Sequence, residues 1–261
     1  MKSFQLNKVK FIIHILLFKL VNYFKIYKGD WIMGRVACLG QDVFKLLNLN
    51  PPLINTQKGR IDFLSDVLNN LNCKPHTNDT LKYINRNDIK GLILQQELFC
   101  KYKKPPVALY MDSYSELTDQ RFFHKKNKWS FYVNYSDIAH SEEFKGKFDS
   151  QGLLGLSEMM DQYYQFFSLF RLNYGSVPII FIHFPVKLES REKFILRATE
   201  IKNTIDILKN DFQPFYSIEV NDEFVDWPKA NSSEKQSFPY HYNLDTYVYF
   251  ANQIKNLNIL K

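Results

Sequence analysis

The sequence predicts a doubly wound α/β fold, a mostly parallel sheet with helices on both faces in three layers. Three observations carry this. Short apolar runs recur along the chain: RVACL at 35–39, VALYM at 107–111, PIIFIH at 178–183 and FYSIEV at 215–220. Between and after them, apolar residues return at helical spacing, as in Leu64, Val67, Leu68 and Leu71, or Tyr247, Phe250, Ala251, Ile254 and Leu257. The run at 107–111 also passes without a break into Asp112, Ser113, Tyr114, Ser115 and Glu116. That pattern fits a strand buried on both faces whose carboxyl end opens into a polar crevice. At 261 residues and 45% hydrophobic content the chain can bury one large core.

Residues 1–32 read as a basic amphipathic arm, and residues 33–261 as a single α/β domain. The arm holds six lysines against Asp30, which is +5 of the net +7. Its stretch VKFIIHILLFKLVNYF (9–24) is too short, and too interrupted by His14 and Lys19, to span a bilayer. No small-residue cleavage site follows it. Wound as a helix, Phe11, Ile12, Ile15, Leu16, Leu20 and Phe24 share a face flanked by lysines, which suits a membrane surface or the domain's own core. The rest of the chain is nearly neutral, which argues against a nucleic-acid-binding body. Cys38, Cys73 and Cys100 are odd in number and form no CxxC pair. A reducing cytoplasm, peripheral to the inner face of the membrane if the arm touches lipid, is the expected compartment, and no metal site is expected.

Within the domain, a strand at 35–39 leads to a turn at Gly40, Gln41 and Asp42, then to a helix at 43–49 stopped by Asn50-Pro51-Pro52. A loop spans 55–60 and a helix 61–71. Residues 73–90 read as irregular, and 92–94 as either a short strand or a helix end. The polar, aromatic stretch 119–150 is long for a connection and reads as an insertion, a lid or a binding element. A helix at 156–170, a strand at 178–183, a helix at 191–210 and a strand at 215–220 complete the alternation. After a loop at 221–240, Asn243 is suited to cap a closing helix at 244–257.

Three features converge on one edge of this sheet. Gly40 lets backbone N–H groups approach a ligand at the start of a helix, where negative charge is favoured. The spacing is not a GxGxxG, so no dinucleotide fingerprint is present. Asp112 and Ser113 lie at the mouth of the central strand, where they either touch substrate or turn the chain. Tyr240, His241, Tyr242 and Asn243 precede the last helix, and a histidine entering the crevice there can serve a hydroxyl or thiol nucleophile as general base. His183, at the end of its strand, reads as a satisfied structural histidine.

A strand with its glycine turn, the later strands, and Phe238-Pro239-Tyr240-His241-Tyr242-Asn243 ahead of the last helix resemble the SGNH (GDSL-like) hydrolase and acyltransferase superfamily, whose sheet is flavodoxin-like. The resemblance covers most of 33–257. It departs from the family where Gly40-Gln41-Asp42 stands for Gly-Asp-Ser, where Phe238 stands for the aspartate three residues before the histidine, and in having no Gly-x-Asn-Asp block. It implies an acyl-ester enzyme, an O-acetyltransferase or esterase acting on a carbohydrate in cell-surface polysaccharide biosynthesis or modification, with acetyl-CoA as an acyl donor. His241 would then be the base, Ser113 or Cys38 the nucleophile beside Asp112, and Gly40, Gln41 and Asp42 the oxyanion and ligand-binding turn. Glu219, Asp222 or Asp226 would orient the imidazole. The missing Gly-Asp-Ser equally allows a catalytically inactive module that binds a glycan or a partner through aromatics of 122–135 and 238–242. A glycosyltransferase on a similar sheet would call for an Asp-x-Asp motif, which is absent.

Overall fold

The computed structural model describes residues 29–71, 73–228 and 240–260. The arm's stretch at 9–24 and Phe238-Pro239 lie outside them. Five strands form a wholly parallel sheet in the order β2-β1-β3-β7-β8, where β1 is Ile32–Arg35, β2 Leu53–Asn55, β3 Ala108–Asp112, β7 Ile179–Ile182 and β8 Phe215–Ile218. Between β3 and β7 in sequence, β4 (Asp119–His124), β5 (Ser130–Asn134) and β6 (Phe148–Gly152) form a separate antiparallel sheet, β5-β4-β6. The helices, in chain order, are α1 Cys38–Leu47, α2 Ile61–Leu68, α3 Thr77–Thr80, α4 Asn87–Leu98, α5 Tyr114–Thr118, α6 Glu142–Lys147, α7 Met159–Tyr174, α8 Glu192–Leu208 and α9 Leu244–Asn256. Helix α1 packs with α9, and α7 packs with α2 and α8. The three-layer α/β expectation is therefore met. Among the described residues no helix is long and apolar enough to cross a membrane.

The central strands read as apolar because both faces are covered: every residue of β1, β3 and β7 is buried. Two boundaries differ from the sequence reading. The first strand is 32–35, not 35–39, and the segment 38–42 is the first turn of α1, not a turn ahead of a helix at 43. Residues 31–37 are buried without a break, so hydropathy alone does not mark where the strand stops. The stop is tertiary, set by Arg35 and by the residues that grip Val36 and Ala37. Strand β2 went unread because three residues after Pro51-Pro52 carry no periodicity; β1 recruits them as its outer neighbour.

The segment 119–152 is an insertion with its own core. Phe122, Trp129, Phe131, Val133, Phe144 and Phe148 cluster with Tyr83, Ile84, Ile89 and Ile93. Helix α4 thus replaces the irregular reading of 87–90, and of the two readings of 92–94 it bears out the helical one. The aromatics Phe122, Trp129 and Phe131 are no more than 2% exposed, so they hold the insertion together and do not face a ligand.

One carboxylate ties the layers. Glu116 of α5, fully buried, pairs with Arg35 at the end of β1. Its Oε1 accepts the Ile61 N–H at 2.9 Å, and its Oε2 accepts the Tyr163 hydroxyl at 2.8 Å. Its backbone carbonyl accepts Arg197 Nε and Nη2 at 3.0 and 2.7 Å. Strand β1 and helices α2, α7 and α8 thereby meet at one residue. Removing one partner of a buried ion pair strands the other charge, at a cost of about 3–5 kcal/mol. Glu116→Gln should therefore lower the urea midpoint by a corresponding amount with an unchanged slope, measured by equilibrium denaturation.

Candidate functional site at the carboxyl edge of the sheet

From β1 the chain crosses to β2 on one side, then to β3 on the other, so the strand order reverses at the β1/β3 boundary. In parallel α/β sheets a ligand crevice opens outside the carboxyl ends at such a switch point. Here that place is occupied by Val36, Ala37 and Cys38. The side chain of Asn55, at the end of β2, accepts the Val36 N–H at 3.0 Å and donates to the Val36 carbonyl at 2.9 Å. From the other flank, Asp112 Oδ2 accepts the Ala37 N–H at 2.6 Å. Side chains from the two neighbouring strands thus continue the ladder beyond β1 and aim the next residue outward. That residue is Cys38, the first of α1, and it is exposed. The sequence reading placed it in an apolar strand; one turn of register makes it the residue presented at the crevice.

Gly40 is a glycine for a different reason than a turn. A Cβ there would lie 2.4 Å from Val36 Cβ and 3.1 Å from Asp112 Oδ2, so only glycine lets the first turn of α1 lie this closely over Val36, just past β1. The Gln41 N–H is bonded to the Ala37 carbonyl at 2.9 Å as an ordinary helical bond, which withdraws it from the oxyanion role that a turn would have allowed. Cys38, Gln41 and Asp42 share one helix face by their i, i+3 and i, i+4 spacing.

Asp112 and Ser113 are both buried, at 1% and 2% exposure. Ser113 Oγ accepts the Phe184 N–H at 3.1 Å, tying the mouth of β3 to the end of β7. Asp112 Oδ1 accepts the Tyr114 N–H at 3.0 Å as its Oδ2 holds Ala37. These two residues turn and brace the chain, while the adjacent Cys38 faces solvent. Burial pushes the Asp112 carboxyl up to about 7, against the pull of Arg35 and the two N–H donors. Desolvation also pushes the Cys38 thiol up, and the Asp112 and Asp42 carboxylates add to it. The start of a helix ordinarily favours a thiolate. Here the balance favours the thiol, so attack by this sulfur requires a base.

Tyr240 and Tyr242 anchor the His241 segment at the same edge. The Tyr240 ring stands edge-to-face with Tyr114 at 5.2 Å and Phe184 at 5.6 Å, and the Tyr242 hydroxyl donates to the Pro185 carbonyl at 3.2 Å. His241, exposed between them, leads into α9, which packs along α1. Asn243 caps α9 as the sequence suggests, accepting the Thr246 N–H at 3.0 Å. Of the three acids, Glu219 pairs with Lys202 at 2.9 Å and borders a cavity of about 370 Å³ along β8 and α9. Asp222 lies in a short 3₁₀ turn. Asp226 is the one beside the histidine segment, its carbonyl accepting the Asn243 N–H at 2.9 Å. His183 is structural as expected: buried, 2.9 Å from Ser217 Oγ, and lowered to about 4 by burial.

Two residues not singled out from the sequence complete the rim. Lys58, 3% exposed, pairs with Asp119 at 2.9 Å and Asp137 at 3.8 Å, pinning the insertion beside Tyr114. Gln57 precedes it and contacts Gln41 at 2.7 Å. Only the fold reveals them, because no spacing motif joins 57–58 to 38 or 119.

No protein-family model matches the chain, and no curated protein matches it. Among solved structures it is similar to a salicylyl-acyltransferase, SsfX3 from a tetracycline biosynthetic pathway, at a TM-score of 0.38 and 10% identity over 88% of this chain and 55% of that one. The chain thus spans about half the length of that protein, and a likeness so distant does not bear on activity.

The Asp112 carboxyl ¹³C resonance should titrate near pH 7, far above its ordinary 3.8. Its raised value means the folded state keeps a proton that the unfolded chain has released. Its contribution to stability is therefore fully present below the ordinary carboxylate range and lost as the pH rises through about 7. Urea midpoints of wild type and Asp112→Asn compared from acid to neutral pH should show the wild type losing ground to the variant as pH rises.

Proposed function

We propose that this chain is an SGNH-like acyl-transfer enzyme in which the nucleophile is the thiol of Cys38. The observation that supports it most is the exposed cysteine at the start of α1, held at the switch point of the sheet by Asn55 and Asp112. His241 takes the proton from Cys38 as the sulfur attacks the acyl carbonyl. The tetrahedral oxyanion collapses, and the leaving group departs with the proton returned by the imidazolium. His241 then deprotonates the acceptor hydroxyl, which attacks the thioester, releases the new ester and restores the thiol. Asp226, whose backbone carbonyl accepts the Asn243 N–H next to the histidine, is the acid assigned to orient the ring. Water as acceptor makes the enzyme an esterase, and a sugar hydroxyl makes it an O-acetyltransferase, with acetyl-CoA a suitable donor. A carbohydrate fits a rim of aromatic and amide groups, Tyr114, Tyr240, Gln41 and Gln57. A role in modifying cell-surface polysaccharide follows from the family resemblance.

A second reading, a binding module without turnover, is favoured by the raised pKa of the Cys38 thiol, which leaves little thiolate at neutral pH without a base.

Brief exposure to p-nitrophenyl acetate and, separately, to acetyl-CoA, followed by peptide mapping, should place one acetyl group on Cys38. Cys38→Ala should abolish the adduct and His241→Ala should slow its formation by about 10²–10⁴-fold, the usual worth of a general base. Absence of any adduct together with absence of ester turnover would leave the binding module standing instead.

A further inference from the structure

A cavity of about 300 Å³ lies where α2 and α7 pack together and the insertion adjoins them. Its floor is already built. Arg60, just ahead of α2 and 4% exposed, grips Asp62 through Nε to Oδ1 at 2.8 Å and Nη2 to Oδ2 at 2.6 Å. Its Nη1 donates to the Gly152 carbonyl at 3.0 Å, which fixes the loop that brings Leu153 and Leu154 into the wall. The Tyr132 hydroxyl adds a bond to Asp62 Oδ2 at 3.3 Å. With Arg60 and Asp62 satisfied in this way, other groups on the lining are not. The Asp66 carboxylate, half-buried one helical turn beyond Asp62, accepts no hydrogen bond among the described residues. Burial together with the Asp62 charge pushes its pKa up. Arg121 of β4 uses its Nε on Ser130 Oγ at 3.0 Å, and its Nη1 stays 3.9 Å from Asp62. Arg121 is near enough to Asp66 to act against that rise, yet the two form no ion pair. Between them the half-buried Gln162 of α7 also lines the cavity, its amide without a partner among the described residues.

This lining selects its guest by chemistry. Leu153 and Leu154 are its two apolar members, so an apolar guest would leave the buried charges without solvent or partner. Asp62, Asp66 and Glu158 disfavour a phosphate or sulfate, and Arg60 and Arg121 disfavour a cation. A neutral molecule rich in hydroxyls suits both signs, because one hydroxyl donates to a carboxylate while accepting from a guanidinium or amide N–H. We propose that the cavity binds one sugar ring of a saccharide, its neighbouring hydroxyls bridging Asp66 and Arg121 with Gln162 as a third contact. The volume, at the lower end of ligand pockets, suits a single ring. The site belongs to the α2–α7 layer, whereas Cys38 begins α1, which packs with α9. It therefore goes beyond the acyl-transfer reading and stands without turnover at Cys38.

The probes are the methyl glycosides of D-glucose, D-galactose, D-mannose and N-acetyl-D-glucosamine, titrated separately into the ¹⁵N-labelled full chain and followed by amide NMR shifts. At least one should saturably shift Asp66, Arg121 and the Gln162 side-chain amide together, while Gln57 and Tyr240 stay still. Asp66→Asn and Arg121→Gln should each weaken that binding by about 10–100-fold, the effect of losing a hydrogen bond to a charged group. Gln162→Ala leaves the Arg60–Asp62 floor intact and should weaken it about fivefold, as for a neutral hydrogen bond. Saturation by glycine or inorganic phosphate with no sugar binding overturns the ligand class, and no shift with any probe overturns the site. Unchanged affinity in both charge variants does the same. Shifts confined to Gln57, Tyr114 and Tyr240 would put the sugar in the Cys38 crevice, overturning this site while the acyl-transfer reading stands. Absence of an acetyl adduct at Cys38 would remove that reading and leave sugar binding here intact.

Discussion

Burying Glu116 would be costly if any of its lone pairs went unmet, and the surrounding residues meet them from several directions. Its carboxylate takes a guanidinium from β1, an N–H from the start of α2 and a phenol from α7, and its carbonyl takes a second guanidinium from α8. Because Glu116 lies only four residues beyond the end of β3, satisfying it sets how β1 and β3 end relative to one another. That relation brings the Ala37 N–H to Asp112. The outward projection of Cys38 is therefore a downstream consequence of a buried ion pair that never touches solvent.

The edge of the sheet shows two opposed demands on Asp112. As the acceptor for Ala37 and Tyr114 it completes the backbone bonding at the mouth of two strands, which α1 lacks from any cap of its own. As a buried carboxylate beside a thiol it works against ionisation of that thiol. The fold accepts the second effect for the sake of the first. A protonated sulfur, stable until a base engages it, is the result.

The insertion joins the domain through ion pairs as well as through Tyr132, which packs in the main core against Phe63. Its own aromatic cluster is separate from the main core, yet Asp119 and Asp137 both reach Lys58. A lysine this buried is tolerated because it is paired, and the pairing holds the small sheet next to Tyr114 and the amides of the rim. The insertion can be large and aromatic without its rings lining the crevice.

By itself the sequence determined the alternation of β1, β3, β7 and β8 with their helices, though neither β2 nor α4, along with the buried central strand ending at Asp112 and the capping of the last helix by Asn243. These are local matters of hydropathy period and side-chain reach. It also singled out Cys38 within an apolar run, Asp112 and Ser113 directly after one, and His241 ahead of the closing helix. Tertiary structure alone decided which of them face solvent. A one-turn ambiguity in the run 31–39 reverses Cys38 from strand interior to helix start, and no periodicity resolves it because every residue from 31 to 37 is buried. Ser113 became a brace because Phe184, 71 residues away, brought it an N–H. Gln57 and Lys58 acquired their places because hydrogen bonds and ion pairs form between residues that only the folded chain brings together.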